Sequence, residues 1–157
     1  MTVWFTAILL IVELVGAAVV AGWLVLGGAP WLPDSLKTAT YCLIFGGIGG
    51  CVYCLRGVYL NAAVHKRWDK SWLIWYFVRP VVSTALGGIS YLFVKSGLLL
   101  LGASQDPSSS ELGIWALAFL AGLNVDKFLA KIEGIGFSVW GVELSRQSKG
   151  EEAKKAE

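Results

Sequence analysis

Charge is scarce in this sequence: 15% of its 157 residues are charged, against ~25% in an ordinary soluble domain. That shortfall excludes a solvated globular fold. The formal net charge is +2, and the basic residues form no stripe of the kind that grips a phosphate backbone, so nucleic acid is not an expected partner. A single histidine, His65, leaves metal and acid–base chemistries built on paired imidazoles without material. No metal, cofactor or enzymatic activity is expected. The three cysteines, Cys42, Cys51 and Cys54, fall in one apolar run, where neither a disulfide framework nor a zinc site belongs. No basic residue precedes the first apolar run, and no small-residue cleavage site follows it before Pro30, which argues for a retained span over a signal peptide. Internal repeats are absent too, so an inverted-repeat transporter within one chain is not supported.

What is present is hydrophobic: 56% of residues, gathered in long runs. The expected fold class is all-α, a polytopic membrane protein whose transmembrane domain covers 1–144. Its four spans are 3–26, 38–61, 80–101 and 112–130, with an interfacial helix before the third and a polar, mobile tail over 145–157. The first span is long enough at ~1.5 Å per residue to cross a ~30 Å hydrocarbon core. It carries Glu13 with no lysine or arginine in the same run. Gly27, Gly28, Pro30 and Pro33 end it, and Asp34 or Ser35 is placed to cap the next helix.

The second span is the one the chain is organised around. Gly46, Gly47, Gly49 and Gly50 cluster in its first half, and glycines at i and i+4 let helix backbones approach closely. Arg56 follows, at a depth where a lone charge must snorkel, find a partner or line water. The Cys51-x-x-Cys54 spacing resembles a redox motif, but it lies inside a span with no helix N-terminus to activate a thiol, and small-residue packing explains it better.

His65, Lys66, Arg67 and Lys70 make the next loop basic, opposed by Asp69 alone. Trp68, Trp72 and Trp75 recur at helical spacing, as membrane-interface anchors do. The apolar run from 72 to 101 exceeds one upright span, and Arg79-Pro80 lies inside it. A break is therefore expected at Pro80, with the proline in the first turn of the third span, where its missing N–H does no harm. Gly87 and Gly88 provide that helix with its own packing surface, and Lys95 lies within snorkelling reach of the far headgroups. Residues 103–111 form a polar loop with Asp106 and Glu111 and no basic residue. The run 112–125 reaches only ~21 Å as a helix, so it is expected to continue to 130, drawing Asn124 and Asp126 to inner-leaflet depth. Gly134 and Gly136 should loosen it, leaving 137–144 as a short interfacial segment.

Basic loops accumulate on the cytoplasmic side, which places both termini inside and the protein in the cell membrane. Glu13, Arg56, Arg79 and Asn124 or Asp126 then converge in the inner half of the bilayer, with Lys95 toward the other face. Two readings stand side by side: a polar vestibule, or a structural Glu13–Arg56 pair with Arg79 and Lys95 snorkelling. Because two glycine faces offer more packing surface than one chain can bury on itself, a homo-oligomer in the bilayer is expected. The expected role is a channel-like conduit for a small ion or polar solute, the alternative an accessory or scaffold subunit of a larger membrane partner.

The charge asymmetry of the two loops makes the topology testable. In a cysteine-free background, Ser109→Cys should react with an impermeant thiol reagent added to intact cells, and Ser148→Cys should not. Labelling at 148 would overturn the arrangement with both ends inside.

Overall fold

The computed structural model describes residues 2–66, 68–97 and 107–141, and all regular structure among them is helical. Five helices follow one another: α1 (Thr2–Val25), α2 (Asp34–Tyr59), α3 (Leu73–Lys95), α4 (Pro107–Leu123) and α5 (Val125–Trp140). By length and composition three of them, α1, α2 and α3, suit a membrane crossing, or four if the broken pair α4 and α5 counts as one span. The chain divides into two compact units, 1–124 and 125–157. The tail expected over 145–157 and the acidic loop before Pro107 lie outside the described residues.

In the first unit α2 is the central helix, packed against α3, α4 and α1. Its glycines explain how. A Cβ on Gly46 would stand 2.6 Å from the Ser83 carbonyl oxygen and 2.7 Å from the Gly87 Cα, both on α3. A Cβ on Gly49 would meet the Phe119 carbonyl and the Leu123 nitrogen of α4, and one on Gly122 would strike the Gly46 carbonyl. The helices therefore touch backbone to backbone, the approach that small residues permit in lipid. The Ser83 hydroxyl adds a bond across the contact, donating to the Gly122 carbonyl at 3.0 Å in a fully buried setting. Toward the end where α2 begins, Tyr41, Phe45 and Trp115 stack around the small Ala118 contact, and the Tyr91 hydroxyl donates to the Ser35 carbonyl at 3.2 Å. α1 lies outside this core: the apolar window of α1 is only 11% buried.

Several boundaries differ from the sequence expectation. No break occurs at Pro80: α3 begins at Leu73 and runs through the proline to Lys95. Pro80 is fully buried, and bare Gly50 makes room for it, since a Cβ there would approach the Pro80 Cα at 3.2 Å. The ring removes the N–H that the Tyr76 carbonyl would use, a loss transmembrane helices tolerate when neighbouring groups close around it. In place of a separate interfacial helix there is a single 3-10 turn, Lys70–Trp72, leading directly into α3; the Asp69 carboxylate accepts the Ser71 N–H at 3.0 Å to start it. α3 stops at Lys95, and Gly97 at φ +75° donates to the Val94 carbonyl, the left-handed ending that glycine favours.

Asp34 does not cap α2. Pro33 holds the cap position and Asp34 sits in the first turn, where a carboxylate faces the positive helix end and pairs with Lys37 at 3.2 Å. The helix of the expected fourth span stops at Asn124, and α5 starts anew at Val125. Gly134 and Gly136 do not loosen α5, which continues to Trp140 on an amphipathic pattern strong enough to outweigh the ~1 kcal/mol each glycine costs. Both glycine faces of the first unit are consumed inside the chain, so they no longer supply a reason for oligomerisation.

Gly46→Ala should lower unfolding stability by about 1 to 3 kcal/mol, because its neighbours are backbone and only a helix displacement makes room. Gly113→Ala, which faces open space within the same unit, should be neutral or slightly stabilising. Denaturant titration in detergent checks both, and equal effects from the two changes would contradict the backbone contact.

Candidate functional site

The polar side chains singled out from sequence separate into three places. Glu13 lies near the middle of α1, about 17 Å of helix from either end. Its side chain is exposed on the folded chain and reaches the Cys51 thiol of α2, with Cys54 one turn further within electrostatic range. Arg79, on α3, is also within electrostatic range of Cys54. Among the described residues no ion pair within 4 Å joins Glu13 to Arg56.

Arg79 is 7% exposed, and burial of that depth is unusual for an arginine meant only to snorkel. The Tyr53 ring lies 4.6 Å from its guanidinium carbon and the Trp75 ring 5.4 Å, so the charge is held between two π faces. Desolvated contacts of this kind contribute ~2 kcal/mol. Trp75 touches Tyr76 edge-on at 5.1 Å, and Trp68 stacks on Tyr76 at 5.6 Å. Two of the three tryptophans expected to face the membrane interface are therefore packed inward; Trp72 remains half exposed.

Arg56 lies one turn past Tyr53 and is exposed, at the edge of a cleft of about 320 Å³ between α2 and the start of α3. The cleft follows from a helical irregularity: residues Leu60–Val64 form a π turn, closed by the His65 N–H donating to the Leu60 carbonyl at 2.8 Å. Such turns concentrate at functional sites. Asn61, at the start of this turn, faces inward, where its amide donates to the Tyr76 hydroxyl at 3.1 Å.

Lys95 is far from both places, about 24 Å along α3 from Arg79, with its ammonium 5.9 Å from the Tyr91 ring. Asn124 is half buried at the end of α4, its N–H held by the Leu120 carbonyl at 3.0 Å. Asp126 belongs to the second unit. The structure therefore brings Glu13 and Arg79 within electrostatic range of Cys54 on α2 and leaves Arg56 beside a separate cleft and Lys95 at the other end of α3. Sequence reasoning missed Tyr53, Asn61 and Tyr76. Tyr53, Gly57 and Asn61 fall on one helical face at i, i+4 and i+8, and that spacing, with Arg56 beside it, was the available signal.

Among the described residues, no three metal-ligating side chains converge. No protein-family model, curated protein or solved structure matches the chain.

If the guanidinium is held by its rings, Arg79→Met and Tyr53→Leu should not be additive. A double-mutant cycle on unfolding in detergent should give a coupling of about 0.5 to 2 kcal/mol. Additive losses would mean that Arg79 is held by other groups.

Proposed function

We infer that the protein acts in the membrane as a homo-oligomer whose copies enclose a narrow polar path for a small ion or solute, with both termini on the cytoplasmic side. The observation that carries this reading is Glu13: a carboxylate at mid-span, on a helix that is 11% buried, left exposed by its own chain. In hydrocarbon such a group costs several kcal/mol unless it meets water or a partner, so an exposed intramembrane carboxylate implies that something else covers it. A path through one copy is not available between α2, α3 and α4, because their backbones are in contact. The path would run along α1, between copies, with the Glu13 carboxylate facing it and the buried Cys51 and Cys54 thiols behind that carboxylate.

A second reading rests on another face of α1, away from Glu13. The apolar residues Trp4, Ile8, Val12, Val15 and Val19 are all exposed on α1 and would equally suit docking against a larger membrane protein, making this chain an accessory subunit. Oligomer mass and flux separate the two. In the conduit reading, purified protein in mild detergent is a stable multimer. Glu13→Gln should keep that mass while changing ion flux in liposomes at least tenfold. A monomer without flux supports the accessory role. A multimer whose flux is untouched by Glu13→Gln removes Glu13 from the path.

A further inference from the structure

The cleft beside Arg56 is distinct from the Glu13 site and has a different chemistry. Tyr53, Trp72, Trp75 and Tyr76 wall it with aromatic rings, and Arg56 and Asn61 supply its polar groups. Gly57 keeps its inner side open, since a Cβ there would come to 3.3 Å from the Tyr76 hydroxyl. The polar groups are mostly donors. The Tyr76 hydroxyl accepts from Asn61 and retains its own proton to give. Arg56 has no carboxylate within ion-pair distance among the described residues, so its planar fork is open to an oxyanion.

The level of the cleft in a bilayer follows from helix length. α2 with its π turn covers 31 residues, about 46 Å at ~1.5 Å per residue, well over a ~30 Å hydrocarbon core. Counted from the level of Glu13 and Cys51, that length carries both ends of α2 out of the hydrocarbon, and α3 begins at Leu73 on the Val64 side, just after half-exposed Trp72. The outer end of the cleft, at Asn61 and Trp72, thus stands where the helices leave the hydrocarbon, and Arg56, about 7.5 Å deeper along α2, reaches headgroup depth by snorkelling. The sequence between α2 and α3 is basic, with four basic side chains against Asp69, and positive charge near a membrane surface attracts anionic lipid. A volume of about 320 Å³ suits a glycerophosphate group, and the aromatic rims suit the glycerol and first methylenes of the tails.

We propose that this cleft binds the headgroup phosphate of an anionic phospholipid, Arg56 clasping the phosphate and Tyr76 donating to it, with the tails descending along the α2 and α3 surface. The site is independent of whether the assembly conducts. A soluble phosphate ester offers the same oxyanion without tails, so the test needs both arms. Full-length protein is purified in mild detergent and delipidated. It is then offered phosphatidylglycerol and phosphatidylcholine at equal concentration, or sn-glycerol 3-phosphate, and retention is read by native mass spectrometry. Thermal stabilisation by each compound gives a second readout.

The wild type should retain phosphatidylglycerol about tenfold over phosphatidylcholine, and the soluble ester should neither be retained nor stabilise. Arg56→Gln should abolish the preference and Arg56→Lys should restore part of it, while Lys37→Gln at the far end should leave it intact. Should Arg56→Gln fail to fold, Trp72→Ala, at an exposed position, should weaken retention in its place. Unchanged preference in Arg56→Gln, or in Trp72→Ala where that variant replaces it, overturns the proposal. So does glycerol phosphate binding as well as the lipid, which would assign the cleft to a soluble anion.

Discussion

Everything in the first unit depends on one contact that has almost no side chain in it: the place where Gly46 and Gly49 of α2 meet Gly87 of α3 and Gly122 of α4. In water, burying large apolar side chains would drive helices together. In lipid that force is missing, and close packing with interhelical hydrogen bonds has to replace it. Glycine permits a separation at which backbones exchange dispersion contacts directly and a buried hydroxyl, Ser83, can reach a carbonyl on another helix. Once α2 is clasped on two sides in this way, the cysteines, tyrosines and prolines around it have determined neighbours. Pro80 fits inside α3 because Gly50 faces it, and the proline and the glycine cluster belong to one arrangement.

The polar groups are accommodated around that rigid centre by different means. Arg79 is buried with its guanidinium against the rings of Tyr53 and Trp75. Glu13 has no comparable enclosure, only thiols beside it and exposure beyond. The contrast places the structural ion inside the fold and the unfinished one on its outer helix, which is why the account of function turns on α1. Arg56 is neither buried nor at mid-span; it lies where a widened turn and a ring of aromatics open a cleft at the end of the bundle.

Much of the fold was legible in the residues. Apolar run lengths located α1, α2 and most of α3, and the glycine spacing singled out α2 as central. What misled was local chemistry read without its partner. Pro80 reads as a break until Gly50 is seen opposite it. Asp34 reads as a cap until Pro33 is seen to hold that position. The pairing of Glu13 with Arg56 was inferred from shared depth, but depth says nothing about azimuth: the side chains project from their helices in different directions, and the carboxylate meets Cys51 instead. The aromatic cleft was hidden for another reason: Tyr53, Gly57 and Asn61 share one helical face, but part of the lining comes from the Trp72 to Tyr76 segment, whose tryptophans read as interface anchors.

The backbone contact between α2 and α3 is open to direct observation. Protein labelled with 13C at glycine Cα and reconstituted in lipid bilayers can be examined by magic-angle-spinning 13C–13C correlation, with Gly46 and Gly87 assigned by single substitution. Direct contact predicts a strong Gly46–Gly87 cross-peak at short mixing time, lost when either glycine is replaced. Its absence from a folded, well-resolved sample would contradict the glycine clasp, and the arrangement of Glu13, Arg79 and the Arg56 cleft around it.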